Sequence, residues 1–202
     1  MIEKTQQLGA LGLPDSCFIR GEAPMTKQEI RWLTLCKARI EPSNCIWDIG
    51  AGTGSISVEA ARLAPQGLVY AIEKDLEAID LIKDNAMRFQ TANLEAVFGF
   101  APQALTDLPD PDRIIISGSG GAMEAILDCC TNRLRPKGLI VFNAITVDNL
   151  NRGISYFKSA KWHLEGIMTQ ISRLEETKDV HMWKALNPVQ IIVATREAAN
   201  AW

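Results

Sequence analysis

Apolar and polar positions along the chain follow two alternating periodicities. Five short apolar runs are typical of strands buried on both faces of a parallel sheet, and they occupy residues 45–48, 68–73, 94–98, 113–116 and 139–143. Between these runs, apolar residues recur at helical spacing, as at Ile126, Cys130 and Leu134. Strands that alternate with amphipathic helices predict a parallel sheet with helices on both faces.

The two ends of the chain depart from this pattern. Residues 1–12 show no periodicity and are predicted to be mobile, so that a single domain spans residues 13–202. Two β-rich stretches, 162–173 and 182–195, are joined by a polar segment, which predicts a hairpin-like ending. The α/β fold is therefore predicted to be Rossmann-like, with an antiparallel C-terminal strand.

A capping-box pattern predicts where the first long helix begins. Thr26 and Glu29 stand three residues apart, ahead of an apolar helical face that starts at Ile30 and Leu33. In a capping box each of these two side chains accepts a hydrogen bond from a backbone N–H of the first turn. The helix is therefore predicted to begin at Thr26.

A glycine-rich loop follows the first predicted strand. Gly50, Gly52 and Gly54 come directly after the apolar run that ends at Asp48, and a helical pattern begins at Ile56. Glycine permits positive φ and close approach of the backbone, so the loop can present its N–H groups to a ligand. This succession of strand, loop and helix predicts a cofactor-binding site.

Spacing and charge indicate which cofactor the loop binds. The dinucleotide fingerprint G-x-G-x-x-G is not met, because Ser55 stands at the place of its third glycine. Asp48 would repel a pyrophosphate, but it would attract the ammonium and sulfonium groups of S-adenosylmethionine (AdoMet). Glu73, at the end of the next strand, can accept hydrogen bonds from both hydroxyls of a ribose. We therefore predict an AdoMet site, with a nicotinamide cofactor or a purely structural turn as the alternatives.

Composition and charge exclude several classes of protein. With 47% hydrophobic and 22% charged residues, the 202-residue chain is long enough for one domain with a sizeable core. The net charge is −3 and no block of basic residues occurs, so we expect no nucleic-acid partner. The absence of a long apolar segment predicts no membrane partner and a cytoplasmic protein.

No motif identifies a catalytic or metal-binding residue. The five cysteines lack a C-x-x-C pair, so neither a zinc site nor a disulfide framework is predicted, and no protein-bound metal is expected. No Ser/His/Asp constellation is visible, and the catalytic residues stay unassigned. His181 in the predicted hairpin is either an exposed loop residue or a candidate proton donor.

Further pieces of the sequence resemble one family, the decarboxylating C15-methyltransferases of cobalamin biosynthesis, which act on cobalt-precorrin-6B or on the metal-free precorrin. The pieces are Leu13-Pro14-Asp15 with Phe18 and Arg20, Met25-Thr26-Lys27 with Glu29 and Arg31, the loop from Asp48 to Gly54, Ala71-Ile72-Glu73, Ala101-Pro102 with Ala104-Leu105, Gly118-Ser119-Gly120-Gly121, Asn143-Ala144, and Ala185-Leu186-Asn187-Pro188-Val189. The loop alone indicates only a class I methyltransferase, and the other pieces make the resemblance specific.

The resemblance implies a fold and an activity. The fold is that of a class I methyltransferase, with a seven-stranded, mostly parallel sheet. The activity is transfer of a methyl group from AdoMet to C15 of a tetrapyrrole, with loss of carbon dioxide from the C12 acetate. The resemblance also implies a homo-oligomer, often a tetramer. The implied AdoMet-binding residues are Thr26, Gly50, Ala51, Gly52, Thr53, Gly54, Glu73 and Ala101.

Two residues depart from the family pattern. Phe100 stands where an acidic residue is common, which leaves the backbone of Ala101 and stacking on Phe100 to bind the adenine. Ser117 stands where glycine is common, and we expect that change to affect only the freedom of the backbone.

A polycarboxylate tetrapyrrole requires cations near its pocket. Arg20, Lys27 and Arg31 are the candidate substrate-binding residues, and Arg173 and Lys184 are further cations expected at the pocket rim, although each could be an ordinary surface charge. Two other functions stay open: an RNA base methyltransferase on the same fold, and a non-catalytic AdoMet-binding subunit of a corrin-pathway complex.

Overall fold

The computed structural model describes residues 11–197, which fold into one seven-stranded sheet, a separate two-stranded sheet and flanking helices. The helices are α1 (Gln28–Ala38), α2 (Ser55–Leu63), α3 (Leu76–Arg88), α4 (Met123–Arg133) and α5 (Val147–Ser159). The strands are β1 (Cys45–Ile49), β2 (Leu68–Glu73), β3 (Leu94–Phe98), β4 (Arg113–Ile116), β5 (Leu139–Ala144), β6 (His163–Thr169), β7 (Ser172–Thr177), β8 (Val180–Ala185) and β9 (Val189–Thr195).

The large sheet has the strand order β3-β2-β1-β4-β5-β9-β6. Strands β1 to β5 pair in parallel, whereas β9 runs antiparallel to both β5 and β6. This confirms the predicted seven-stranded, mostly parallel sheet with an antiparallel C-terminal strand. The strand order reverses between β1 and β4, and ligands of such sheets bind beyond the carboxyl ends of the strands at that point.

Alternate residues of the central strands build the core on the two faces of the sheet. Trp47 and Ile116 belong to the apolar cluster that packs against α4 and α5. Ile46 and Ile115 belong to the cluster that packs against α1 and α2. All four residues of β4 are buried, as the continuous apolar run predicts for a strand covered on both faces.

Side chains at the starts of α3 and α5 explain why these helices begin at Leu76 and Val147. Asp75 accepts a hydrogen bond from the N–H of Glu77 (3.0 Å), and Thr146 accepts one from the N–H of Asn149 (3.3 Å). These two side chains satisfy N–H groups that a helix leaves without intrahelical partners.

The predicted start of α1 is wrong. The helix begins at Gln28 after Lys27, and no side chain caps its N-terminus. Glu29 does not form a capping box, and its carboxylate instead accepts hydrogen bonds from Arg173 at 2.6 and 3.1 Å. A tertiary ion pair has thus replaced the local cap.

The C-terminal segment forms four strands rather than two β-rich stretches. Strands β6 and β9 pair with each other in the large sheet, and β7 pairs with β8 in a hairpin that stands apart from it. We call residues 172–185 the hairpin arm. Its turn lies at Lys178, which has a φ of 56°.

The segment before α1 has little regular structure. We call residues 13–27 the N-terminal strap; it contains a short 3-10 turn, Asp15–Cys17. Residues 1–10 of the segment predicted to be mobile lie outside the described residues. The N–H of Gly12 donates a hydrogen bond to Glu59 of α2 (2.8 Å), so the chain is attached to the body of the protein from that point.

Two features are absent from the part of the chain that the structure describes. Between residues 11 and 197, no helix is both long enough and apolar enough to cross a membrane. Within the same range, no group of three or more His, Cys, Asp or Glu side chains could hold a metal ion. All five cysteines of the chain are free thiols.

Candidate functional site

The glycine-rich loop lies in tight contact with two neighbouring segments. Gly50, Gly52 and Gly54 have φ values of 73°, 56° and 74°, which L side chains rarely adopt. A Cβ at Gly50 would lie 2.7 Å from the backbone of Gly118, and one at Gly52 would lie 2.8 Å from the carbonyl oxygen of Pro24. The loop can therefore approach its neighbours only because these positions are glycine.

Glu73 is held rigidly beside this loop. Its Oε2 accepts a hydrogen bond from the N–H of Gly52 (2.9 Å), and its Oε1 accepts from the N–H groups of Lys74 (2.8 Å) and Asp75 (3.2 Å). The carboxylate thus links the end of β2 to the loop after β1. A carboxylate has about four acceptor positions, so it can accept a further hydroxyl without losing these bonds.

Asp48 lies beneath the loop and is fully buried. Burial raises the pKa of its carboxyl to about 7; the charge of Glu73 also raises it, and a hydrogen bond from Ser57 opposes the shift. Ser57 donates to Oδ2, whereas Oδ1 has no hydrogen-bond partner among residues 11–197. Asp48 therefore has a free acceptor oxygen at the base of the loop.

Asn85 joins the N-terminal strap to this loop. Its Oδ1 accepts from the N–H of Ile19 (2.8 Å), and its Nδ2 donates to the carbonyl oxygens of Ile19 and Thr53, both at 3.0 Å. One fully buried amide on α3 thus fixes the strap and the loop together.

Two adjoining cavities open at the carboxyl ends of the strands. The first, of about 360 Å³, lies between the strap, the glycine-rich loop, Glu73 and the loop after β4. The second, of about 290 Å³, lies between the start of α1, the ends of β4 and β5, and β9. Both cavities are lined by Met25, Thr26, Ser117 and Ile145. A molecule in one cavity can therefore reach a molecule in the other.

Most of the predicted cofactor residues line the first cavity: Thr26, Gly50, Ala51, Gly52, Glu73 and Ala101. The other two do not. Thr53 is 1% exposed, and Gly54 precedes α2 with its Cα facing Ile82. Thr53 and Gly54 shape the turn of the loop and do not form the cavity surface.

The aromatic ring of Phe100 is exposed at the part of the first cavity that Ala101 also lines. It is 65% exposed and lies beside Ala101, with the Lys74 Nζ 5.9 Å from its ring centroid. An exposed ring next to a cavity can stack on a flat, apolar group of a ligand.

The three candidate substrate-binding cations have different environments. Lys27 lines the second cavity, and Arg20 is about half exposed, with a guanidinium nitrogen 3.9 Å from Asp15. The assignment of Arg31 is corrected here: its side chain is fully buried and donates to Glu59 (2.6 Å) and Asp15 (3.2 Å). Arg31 stabilises the strap from inside the protein, and its side chain has no exposed surface that could contact a substrate.

The two further cations expected at the rim bind other side chains. Arg173 of the hairpin arm donates to Glu29 and to Asp15, which raises its pKa above the ordinary value. Lys184 is exposed on the arm and pairs with Glu175 at 3.2 Å. His181, the candidate proton donor, is exposed on the arm and lines neither cavity.

Sequence reasoning missed part of the second cavity. Asn143, Ile171 and Leu186 line it, and none of them was assigned to a site. Asn143 is a polar residue near the end of an apolar strand, which is the signal that identified Asp48 and Glu73. Ser117 lines both cavities.

Comparisons with known proteins agree on one family. The family model described as "Precorrin methyltransferase domain" matches residues 8–196. The cobalt-precorrin-6B C(15)-methyltransferase (decarboxylating) of Salmonella typhimurium is 34% identical over 187 residues, which are 92% of this chain and 96% of that protein.

Solved structures lead to the same family. The precorrin-6Y C5,15-methyltransferase of Geobacter metallireducens GS-15 is 38% identical with a TM-score of 0.88, over 93% of this chain and 98% of that one. The precorrin 8W decarboxylase of Methanobacterium thermoautotrophicum is 29% identical with a TM-score of 0.84, over 91% and 99% of the two chains. This chain therefore belongs to the precorrin methyltransferase family, and its fold is that of a class I methyltransferase.

Proposed function

We propose that this chain is an AdoMet-dependent C-methyltransferase of cobalamin biosynthesis. It methylates C15 of cobalt-precorrin-6B, or of the metal-free precorrin, and removes the C12 acetate carboxyl as carbon dioxide. The observation that supports this most directly is the pair of adjoining cavities in a member of the precorrin methyltransferase family. One cavity has the features that a nucleoside requires, and the other is lined mainly by apolar side chains.

The first cavity fits AdoMet. The glycine-rich loop gives the backbone a concave surface, and the fixed Glu73, which already accepts three hydrogen bonds, has an acceptor position left for a ribose hydroxyl. Asp48 is fully buried beneath the loop and does not line this cavity, so its carboxyl shapes the loop and does not contact the ligand directly. Ala101 and Phe100 line the adenine end, and Thr26 covers the cavity from the strap. When bound, AdoMet supplies a methyl group attached to a sulfonium.

The second cavity fits the ring of an amphipathic substrate. Ile30, Ile171, Leu186 and Val189 supply apolar walls that exclude water from a ring, while Lys27 supplies a cation for a peripheral carboxylate. The carbon to be methylated is an enamine-like nucleophile, so the main task of these residues is to align it with the first cavity. A strong base is not required for that alignment.

We also propose that the protein is a cytoplasmic homo-oligomer, with up to four chains. The five free thiols support a reducing compartment. The hairpin arm supports assembly, because an isolated two-stranded hairpin is only marginally stable and this one exposes Leu174, Val180, Met182 and Trp183. Light scattering of the wild type and of Trp183→Ser should show a smaller assembly for the variant, and an unchanged mass would contradict this contact.

Calorimetry and turnover test the proposed function. S-adenosylhomocysteine should bind at about micromolar affinity, near −8 kcal/mol, and NADH should not bind. Incubation with AdoMet and cobalt-precorrin-6B should give a product that has gained a methyl group and lost carbon dioxide by mass spectrometry. Nucleoside binding with methylation of RNA alone would favour the RNA methyltransferase, and binding without any turnover would favour the non-catalytic subunit.

A further inference from the structure

Two polar side chains stand side by side where the two cavities meet. The pairing of β4 with β5 sets Ile116 beside Phe142, and the next residues along these strands are Ser117 and Asn143. Both residues line the second cavity, and Ser117 also lines the first. Ser117 and Asn143 therefore lie at the carboxyl edge of the sheet, between the cofactor cavity and the substrate cavity.

Each of these side chains has a buried polar atom without a partner. The Ser117 Oγ and the Asn143 Nδ2 have no hydrogen bond to any residue in the range 11–197. Native proteins pair nearly all such atoms, so an unpaired one at a cavity wall usually has a functional reason. Around them, most of the cavity wall is apolar, which strengthens any electrostatic interaction that they make.

The hydroxyl of Thr34 determines which way the Asn143 amide points. This hydroxyl has one hydrogen, and it lies 2.8 Å from the carbonyl oxygen of Ile30 and 3.1 Å from the atom placed as the Asn143 Oδ1. Thr in a helix commonly donates to the carbonyl four residues earlier, which leaves only lone pairs facing Asn143. The positions of the oxygen and nitrogen of an amide are assigned from such networks. The NH₂ group of Asn143 is therefore the end that faces the Thr34 hydroxyl and donates to it. The atom without a partner is then the amide oxygen.

Methyl transfer creates a charge that an amide oxygen would stabilise. In the proposed reaction the π-electron pair of the acceptor carbon forms the new bond to the methyl carbon, and the pair of the broken C–S bond stays on sulfur. The sulfonium becomes a neutral thioether, and the conjugated ring of the acceptor gains the positive charge. That charge is lost when the C–C bond to the leaving carbon dioxide returns its electron pair to the ring.

We propose that Asn143, assisted by Ser117, is a positioning and charge-stabilising residue for the acceptor ring. Thr34 holds the amide so that its oxygen dipole is directed at the ring when the positive charge develops, and the Ser117 hydroxyl offers a second oxygen beside it. Dipoles that are already oriented before the reaction stabilise such charge without a cost of reorganisation. This inference rests on the proposed methyl transfer.

Four variants test the inference. Asn143→Leu should lower kcat about 30-fold with KM changed less than about threefold, and the affinity for S-adenosylhomocysteine should not change. Asn143→Asp retains an acceptor oxygen at that place and should keep kcat within about fivefold of wild type. Ser117→Ala should lower kcat about threefold. Gln190→Leu is the matched control, because Gln190 also has a buried unpaired amide atom but lines neither cavity.

The outcomes separate this inference from the proposed function. If the wild type methylates the tetrapyrrole and Asn143→Leu retains its kcat, the charge-stabilising role is overturned while the proposed function stands. A kcat that falls equally in Asn143→Leu and Asn143→Asp, or in Gln190→Leu, would also overturn it. If the wild type produces no methylated tetrapyrrole, both are overturned. Should Asn143→Leu fail to fold, Asn143→Asp and Ser117→Ala still decide the matter.

Discussion

The buried guanidinium of Arg31 offers a direct test of how the N-terminal strap is held. It donates hydrogen bonds to Glu59, to Asp15, and to the carbonyl oxygens of Leu13 and Thr26. The change Arg31→Met retains most of the side-chain volume and removes the positive charge. Glu59 would then be a fully buried carboxylate without a cation.

The expected loss in free energy of unfolding depends on the hydrogen bonds that Glu59 keeps in the variant. Breaking a buried ion pair from one side costs about 3–5 kcal/mol. The Glu59 carboxylate still accepts from the N–H groups of Gly12 (2.8 Å) and Leu13 (3.2 Å), which partly stabilise its charge. We therefore expect the lower end, about 3 kcal/mol, which corresponds to a fall in Tm of about 9 °C for a domain of this size.

Urea unfolding measures this loss. The midpoint should move while the slope with denaturant stays the same, since the same surface is exposed on unfolding. Arg20→Met is the control: Arg20 is about half exposed and its nitrogen lies 3.9 Å from Asp15, so its loss should change stability by less than about 0.5 kcal/mol.

A double variant tests whether the unpaired charge of Glu59 causes the loss of stability. Arg31→Met combined with Glu59→Leu removes the unpaired charge and should recover at least about 1 kcal/mol relative to the sum of the two single changes. Additive effects, or a loss below about 1 kcal/mol for Arg31→Met alone, would refute the view that the ion pair holds the strap.

Three further predictions concern the cofactor loop, pH and the hairpin arm. Glu73→Ala should weaken S-adenosylhomocysteine binding at least about tenfold by calorimetry, because the ribose and Gly52 both lose an acceptor; Glu95→Ala on β3 is the control. Asp48 has a pKa of about 7 when folded against an ordinary 3.8, so the folded state binds more protons between those values. Its contribution to stability should therefore be greatest below pH 3.8 and be lost as the pH rises to about 7, and Asp48→Asn should flatten that slope in unfolding measured at several pH values. Arg173→Met should speed hydrogen exchange in β7 and β8 but not in β5, because Arg173 ties the arm to Glu29; equal exchange in wild type and variant would contradict this.

The sequence was sufficient for the sheet because its signals are local. The run of Ile114, Ile115 and Ile116 that forms most of β4 is contiguous in the sequence, and the side chains of Asp75 and Thr146 cap the helices that begin directly after them. The loop glycines and Glu73 were found in the same way, since they lie at or just after the end of a strand.

Two kinds of contact could not be read from the sequence: ion pairs between distant segments, and the proximity of residues on neighbouring strands. Nothing in the sequence around Arg31 distinguishes it from a surface cation. It is a core residue only because α2 brings Glu59 next to it. The capping box does not form, and Glu29 instead binds Arg173, which is 144 residues away in sequence. Ser117 and Asn143 become neighbours only through the pairing of β4 with β5. Each of these depends on contacts between distant segments.

The strap differs from every other wall of the cofactor cavity in how it is attached. Side chains such as Asn85 and Arg31 hold it, whereas the remaining walls belong to strands and to the loops between paired elements. A segment held by a few side-chain bonds opens at a lower free energy than a strand within a sheet. We therefore expect the spent nucleoside to leave by local detachment of the strap while the sheet stays folded, so that the dissociation rate of the product follows the strength of these side-chain bonds.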